Sequence, residues 1–232
     1  MSGLILVSHN QCQRSTLTAV YEGILSRQGG LWISWDGESK MIPSDASRPY
    51  LVQQAGQYET VTFSYTPGEL NEGYHNYIHK GLWPVFHQRP DMARFSTSGY
   101  QEYKNINKAY ARAICENATP DDVIWIQDYH LLGCASYIRE EGLTNSVGIF
   151  LHQPFPAGRM FETIPEWRWF TDSLLCCDLI GFQTVQDMNN FLVWLESEFR
   201  LERLEAQRFR VNGRIIRVGV FPVGIDLDDV QS

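Results

Sequence analysis

Two polar residues follow two short apolar runs, at positions where a parallel sheet would hold a ligand. Asp128 comes just after the run 123–126, and His152 comes directly after the run 147–151. The carboxyl ends of neighbouring parallel strands meet at one edge of a sheet, so we expect both side chains to face a common cleft. There the carboxylate could accept from hydroxyl groups and the imidazole could donate. The structural alternative is that Asp128 caps the following helix and His152 fills a polar gap.

The elements that must position these residues alternate between strands and helices. Residues 123–151 read as strand, helix and strand, because two continuous apolar runs flank a segment of helical period. Residues 4–8 form an earlier strand, residues 16–28 a helix that Gly29 and Gly30 end, and residues 31–35 the next strand. This order predicts an α/β fold, a Rossmann-like parallel sheet flanked by helices, with residues 1–232 as a single domain.

Further local signals complete the expected order of elements. Alternation over 59–65 predicts a strand near a sheet edge with one exposed face, and Pro84 is expected to break the helix that begins at 68. Asn212 and Gly213 are the strongest hairpin signal. The other expected elements are a helix at 100–116, two short helices within 161–177 broken at Pro165, a strand at 178–182, a helix at 184–199 capped by Thr184, and a last strand at 218–223.

Composition limits the class of partner. The formal net charge of −8 and the 20% of charged residues argue against nucleic acid, which needs a basic face. We found no apolar run of membrane-span length and no secretory signal, so we expect no membrane partner and a cytoplasmic location. The five cysteines are an odd number without a Cys-x-x-Cys pair, so we interpret them as reduced thiols in the core, not metal ligands.

Five segments occur in the order and at the spacing of one known family. Together they resemble the N-terminal half of trehalose-6-phosphate synthases over nearly the whole chain. These segments are Gly29-Gly30-Leu31-Trp32, Leu82-Trp83-Pro84-Val85-Phe86-His87, Val123 to Leu132, Phe150-Leu151-His152-Gln153-Pro154-Phe155-Pro156, and Val220-Phe221-Pro222-Val223-Gly224-Ile225.

The resemblance implies the N-terminal half of a GT-B retaining glycosyltransferase that moves glucose from UDP-glucose to glucose 6-phosphate without a metal or other cofactor. Tyr74 and Asp128 match residues that contact the acceptor sugar, and Trp83 and Trp35 match aromatic walls of the acceptor pocket. His152 matches the residue that touches the donor glucose, which makes His152 and Asp128 the candidate catalytic residues. Aromatic rings pack on the C–H groups of sugars, although Trp83 could instead be core packing beside Pro84.

Three departures from the family's pattern bear on activity. The family has Ser-Asn-Arg after its first strand, whose Arg holds the acceptor phosphate, whereas this chain has Ser8-His9-Asn10. Where the family opens its first helix with two glycines near the donor phosphates, this chain has Ser15-Thr16. The family's C-terminal nucleotide-sugar domain would also be absent, so we expect transfer by this chain alone to be slow or absent.

Several alternatives stay open on the sequence. The chain could be a catalytically silent sugar-phosphate-binding or regulatory module, or it could resemble glucosylglycerol-phosphate synthase, which differs chiefly in its acceptor. The partners that we expect are glucose 6-phosphate and UDP-glucose. A C-terminal domain, a second chain that supplies it, and a second copy in a homo-oligomer are the protein partners left open.

Overall fold

A mostly parallel β-sheet organises the computed structural model, which describes residues 3–10, 16–42, 50–205 and 207–223. Within these residues the sheet has ten strands in the order β3-β4-β2-β1-β5-β6-β7-β10-β9-β8. From β4 to β10 in that order, neighbouring strands run parallel, and β3, β9 and β8 pair antiparallel at the two ends. The strands are β1 Leu4–Asn10, β2 Gly30–Ser39, β3 Leu51–Ala55, β4 Tyr58–Tyr65, β5 Val123–Gln127, β6 Ser146–Leu151, β7 Leu179–Phe182, β8 Leu201–Arg203, β9 Arg208–Val211 and β10 Arg214–Val220.

Helices cover the two faces of the sheet unequally. On one face, α1 (Thr16–Gln28) packs in a small cluster with Leu6, Trp32 and Tyr58, to which it contributes Tyr21 and Leu25. A π-helix and five further α-helices contribute to a much larger core cluster on the opposite face. They are the π-helix Glu69–Leu82, α2 Trp83–Phe86, α3 Thr97–Asn117, α4 Cys134–Glu140, α5 Trp167–Leu174 and α6 Val185–Glu198. The described residues also form the short 3₁₀ helices Pro90–Met92, Tyr129–Leu131 and Gly158–Thr163.

Local sequence signals explain several element boundaries. Thr184 caps α6, because its hydroxyl accepts from the backbone N–H of Asp187 at 3.1 Å. Asn212 and Gly213 both have positive φ, at 49° and 79°, and connect β9 to β10 in a tight hairpin. The predicted parallel sheet, the Thr184 cap and the hairpin are therefore confirmed.

Other boundaries differ from the prediction for physical reasons. Pro84 does not break the helix: the π-helix passes directly into α2, where Pro84 occupies the first turn and its missing N–H costs least. β4 is near the sheet edge as expected, but it is buried on both faces, because Tyr58 packs in the α1 cluster and Val61, Phe63 and Tyr65 pack in the large core cluster. β10 begins at Arg214 and ends at Val220, so residues 221–223 lie outside the strand.

Two further predictions concern the state of the cysteines and the presence of membrane-spanning segments. Cys134 and Cys177 are buried, Cys115 and Cys176 are half-buried, and all four are free thiols. Cys12 lies outside the described residues. Among the helices of the described part of the chain, none combines the length and the apolar character that a membrane crossing requires.

Candidate functional site

Asp128 and His152 meet at the carboxyl-end edge of the sheet, as their spacing predicts. They follow β5 and β6, which are adjacent and parallel. The Asp128 carboxylate accepts from the backbone N–H of His152 at 3.3 Å. Both residues line a small cavity of about 160 Å³, here called the polar pocket. The polar pocket is lined by Ser8, His9, Leu17, Thr18, Tyr21, Gln127, Asp128, His130 and His152.

The backbone of Asp128 is held in an unusual conformation. Its φ of 66° and ψ of 171° lie in a region that side chains other than glycine rarely adopt, which stores strain of about 1 to 3 kcal/mol. The carboxylate also accepts from the backbone N–H of Tyr129 at 3.0 Å and so caps the short 3₁₀ helix Tyr129–Leu131. Asp128 therefore caps the following helix, as the structural alternative states, and it also lines the polar pocket.

Burial also affects the protonation of the Asp128 carboxyl group. It raises the carboxyl pKa to about 6, against the opposing effect of hydrogen bonds from the backbone N–H groups of Tyr129, Gln153 and His152. Near neutral pH the carboxylate is thus mostly ionised, and it can accept hydrogen bonds from sugar hydroxyls.

Buried groups of α3 fix the turn that carries Asp128 and His130. The Asn107 amide donates to the His130 carbonyl at 3.3 Å and accepts from the Gly133 N–H at 3.0 Å. The Tyr103 hydroxyl donates to the Tyr129 carbonyl at 3.0 Å. Because Asn107 and Tyr103 are fully buried, these bonds are shielded from water and the turn is preorganised.

His152 is bonded at both ring nitrogens by its own chain. Its Nε2 lies 2.8 Å from the Tyr21 hydroxyl and 3.1 Å from Oε1 of Gln127, and its Nδ1 lies 3.2 Å from the amide nitrogen of Gln183. The Tyr21 hydroxyl donates to Gln127 at 2.9 Å. Burial lowers the pKa of His152 to about 4, so the ring is neutral at pH 7.

Two further imidazoles, those of His9 and His130, also line the polar pocket. The His9 ring stacks on Tyr74 and on His130, with ring centroids 4.5 Å and 4.6 Å apart, and the centroids of Tyr74 and His130 are themselves 6.4 Å apart. We call these three residues the imidazole stack. Nδ1 of His9 lies 3.1 Å from the Tyr65 hydroxyl. Burial, with the neighbouring His130 and His79, lowers the pKa of His9, and burial lowers that of His130 to about 3. Among the described residues that line the polar pocket, Asp128 is therefore the one charged side chain at pH 7.

The three aromatic residues predicted for the acceptor site do not line the polar pocket, as far as the described residues define it. Tyr74, which was predicted to contact the acceptor sugar, is half-buried beside His9. Trp35 lies behind it: it is 7% exposed, it stacks on Tyr65 with centroids 4.7 Å apart, and its indole N–H donates to the Glu38 carbonyl at 2.7 Å.

Trp83 begins α2 and is 43% exposed, so the core-packing alternative does not describe it. Its ring stacks on His87, with centroids 3.9 Å apart. Trp83 does not line the polar pocket, as far as the described residues define it. Its contact with an acceptor sugar therefore stays a prediction.

A larger apolar cavity adjoins the polar pocket on the α1 side of the sheet. Its volume is about 460 Å³, and it shares Leu17, Tyr21 and His152 with the polar pocket. The hydrogen bond between Tyr21 and His152 lies where the two cavities meet. Its remaining lining residues are Val20, Trp125, Gly148, Ile149, Phe150, Leu179, Gly181, Phe221, Pro222 and Val223.

Sequence reasoning missed five residues of this site: Tyr21, His9, His130, Gln127 and Gln183. Gln183 comes directly after β7, so the rule that found Asp128 and His152 could also have found it. Tyr21 was predicted only as part of the helix 16–28. Asn10 ends β1 and Thr16 begins α1, but the side chains of both, Ser15 and residues 224–232 lie outside the described residues.

A polar pocket at the carboxyl-end edge of a mostly parallel sheet defines an α/β protein of the kind that binds small molecules at that edge. A family model described as Glycosyltransferase family 20 matches residues 7–232, and the chain belongs to that family. A trehalose-6-phosphate synthase of Klebsiella pneumoniae is 33% identical over 237 residues, covering 99% of this chain and 49% of the relative. The chain thus spans about half the length of the curated relatives it matches.

Solved structures agree with this membership and confirm the predicted half of a GT-B fold. An alpha,alpha-trehalose-phosphate synthase (UDP-forming) from Burkholderia vietnamiensis is 32% identical with a TM-score of 0.92, covering 99% of this chain and 50% of that one. The E. coli protein bound with UDP-2-fluoro glucose is 31% identical with a TM-score of 0.91 and covers 99% and 50%. A Burkholderia xenovorans synthase in complex with glucose-6-phosphate is 28% identical with a TM-score of 0.89 and covers 99% and 51%.

Proposed function

We propose that this chain is the acceptor-side part of a retaining glycosyltransferase that moves glucose from UDP-glucose to glucose 6-phosphate, giving trehalose 6-phosphate. The observation that carries the proposal is the convergence of Asp128 and His152, from adjacent strands, on one polar pocket in a chain of glycosyltransferase family 20. The relatives solved with a UDP-glucose analogue and with glucose-6-phosphate support the choice of substrates.

The described groups suit the two sugars in different ways. Asp128 presents a half-buried acceptor of hydrogen bonds, and Tyr74 presents an aromatic face to the C–H groups of the acceptor. His152 donates a hydrogen bond to the donor glucose in this proposal, and that bond can strengthen as charge develops in the transition state. The basic groups for the UDP diphosphate come from a C-terminal domain or a second chain, and no metal takes part.

A reconstitution assay tests the proposal. The chain is mixed with the C-terminal half of the Klebsiella pneumoniae relative, and UDP release is measured with both substrates present. We expect turnover that depends on both pieces and falls at least about 100-fold in Asp128→Asn. If the intact relative turns over in the same assay and the pair releases no UDP, the proposal is wrong.

One feature of the site favours a second candidate, a silent sugar-binding module. Tyr21 and Gln127 occupy the Nε2 side of His152, and Asp128 is the one charged side chain among the described residues lining the pocket. Calorimetry with glucose 6-phosphate separates the candidates, because binding without turnover in the reconstituted pair supports the silent module. Competition between glucose 6-phosphate and glycerol 3-phosphate would identify an acceptor preference like that of glucosylglycerol-phosphate synthase.

A further inference from the structure

The amide of Gln183 has only one orientation that suits its neighbours. Gln183 follows β7, at the same sheet edge as Asp128 and His152. Its side-chain oxygen accepts from the backbone N–H of Val223 at 3.0 Å. Because a backbone N–H can only donate, the amide oxygen must face Val223. The amide nitrogen then faces Nδ1 of His152, at 3.2 Å.

This orientation determines which nitrogen of His152 carries the proton. The amide nitrogen of Gln183 can only donate, so Nδ1 of His152 must accept. A neutral imidazole has one N–H, and the buried ring of His152 is neutral near pH 7. The proton must therefore be on Nε2, the nitrogen that faces Tyr21 and Gln127.

The groups on the other side of the ring agree with this assignment. Oε1 of Gln127 can only accept, and it lies within hydrogen-bonding distance of both the Tyr21 hydroxyl and Nε2 of His152. Since the Tyr21 hydroxyl donates its proton to Gln127, its oxygen is free to accept from Nε2–H at 2.8 Å. Each of these donors then has an acceptor, from the Val223 N–H to the Tyr21 hydroxyl.

We propose that Gln183 is a positioning residue that fixes His152 as the Nε2–H tautomer, so that the imidazole acts as a hydrogen-bond donor toward the polar pocket. The backbone of Val223 controls this tautomer through Gln183, which connects the segment after β10 to the candidate site. The inference deepens the proposed function, because a hydroxyl of the donor sugar would receive the Nε2–H of His152 by displacing the Tyr21 hydroxyl that accepts it in this structure. Only that exchange rests on the proposed function.

Nitrogen NMR of the ¹⁵N-labelled full chain at pH 7 tests the tautomer without any turnover. In the unmodified chain we expect a protonated, pyrrole-type Nε2 and a pyridine-type Nδ1 for His152. Gln183→Glu keeps the size of the side chain but replaces the donor nitrogen by an acceptor. This variant should move the proton to Nδ1 and raise the pKa of His152 by about 1 to 3, because a carboxylate then faces the ring.

A matched control removes a partner from the opposite side of the same ring. Tyr21→Phe should keep Nε2–H, because Gln127 remains to accept. Gln183→Leu provides a second variant without a new charge, and it should keep Nε2–H as the major tautomer, because Gln127 still accepts at Nε2 and leucine offers Nδ1–H no acceptor. A protonated Nδ1 in the unmodified chain, or an Nε2–H pattern that survives Gln183→Glu unchanged, would overturn the inference. Failure of the UDP-release assay leaves the NMR result valid, so the two proposals fail separately.

Discussion

The two sides of the polar pocket orient their imidazole rings by different means. His9 stacks on Tyr74 and on His130, and in the described part of the chain its ring has one hydrogen bond, with a hydroxyl that can donate or accept. His152 is held by side-chain amides and a hydroxyl at both nitrogens. Stacking fixes the plane of a ring, whereas an amide nitrogen also fixes the position of its proton. The His152 side is therefore a defined donor, and the imidazole stack is chiefly an aromatic wall.

The largest loss of stability should come from replacing Asn107, whose amide holds the turn that carries both Asp128 and His130. Asn107→Ala removes the amide that holds the turn between Asp128 and Gly133, leaving the His130 carbonyl and the Gly133 N–H buried without it. We expect a loss of about 2 to 4 kcal/mol in the free energy of unfolding. Urea unfolding measures it. Asn117→Ala, at the exposed end of α3, is the control and should cost less than about 0.5 kcal/mol. Equal losses in the two variants would contradict this account of the turn.

The imidazole stack should make the protein sensitive to acid. Burial holds the pKa of His130 at about 3 in the folded chain, against about 6.5 when unfolded, so its contribution is complete above pH 6.5 and is lost as the pH falls toward 3. His130→Gln should reduce the stability lost between pH 7.5 and pH 4.5 by roughly 1 to 3 kcal/mol. Urea unfolding at both pH values measures the difference. His75→Gln, at an exposed position, is the control, and an equal reduction there would refute the assignment.

Asp128 should give the opposite pH dependence. Its pKa is raised to about 6 from about 3.9 in an unfolded chain, so its contribution is present below pH 4 and is lost as the pH rises through 6. Asp128→Asn should therefore gain about 1 to 2 kcal/mol relative to the unmodified chain between pH 4.5 and pH 8. The same unfolding series measures this gain. Asp121→Asn, on the surface, serves as the comparison, and a loss in Asp128→Asn over this interval would exclude a raised pKa.

The smallest effect should come from the hydrogen bonds at Nε2 of His152. Tyr21→Phe removes one hydroxyl and leaves Gln127 as the partner of the ring, so we expect a cost of about 0.5 to 1.5 kcal/mol. A double-mutant cycle with His152→Phe isolates the coupling between the two side chains. A coupling energy of zero would mean that the hydroxyl contributes nothing to orienting the imidazole.

The pattern of apolar residues predicted the strands that are buried on both faces. A capping residue, Thr184, predicted where α6 begins. The strands that carry Asp128 and His152 were found because continuous apolar runs are needed inside a parallel sheet. β3 was missed because Leu51, Val52, Gln53 and Gln54 are exposed, so burial leaves no pattern in their sequence. β8 has only three residues, too few to show alternation.

Site residues that directly follow a strand were predictable from the sequence. Site residues that reach the pocket through the packing of a helix or a ring were harder to predict. Asp128 and His152 follow from strand ends, and Gln183 obeys the same rule. Tyr21 reaches His152 from α1, and His9 meets His130 across 121 positions of sequence through ring stacking, which no local pattern records. The direction of the Trp35 ring likewise depends on Tyr65, a residue of the neighbouring strand β4.

The outermost strand β3 has a practical consequence for handling the protein. In the described part of the chain it is the terminal strand on its side of the sheet, it contains no charged residue, and its Leu51 and Val52 are each 55% exposed. Uncharged terminal strands with exposed aliphatic side chains are templates for edge-to-edge aggregation. A lysine introduced by Val52→Lys would add the charge that natural sheets place on such edges, and concentrated solutions of that variant should scatter less light than those of the parent.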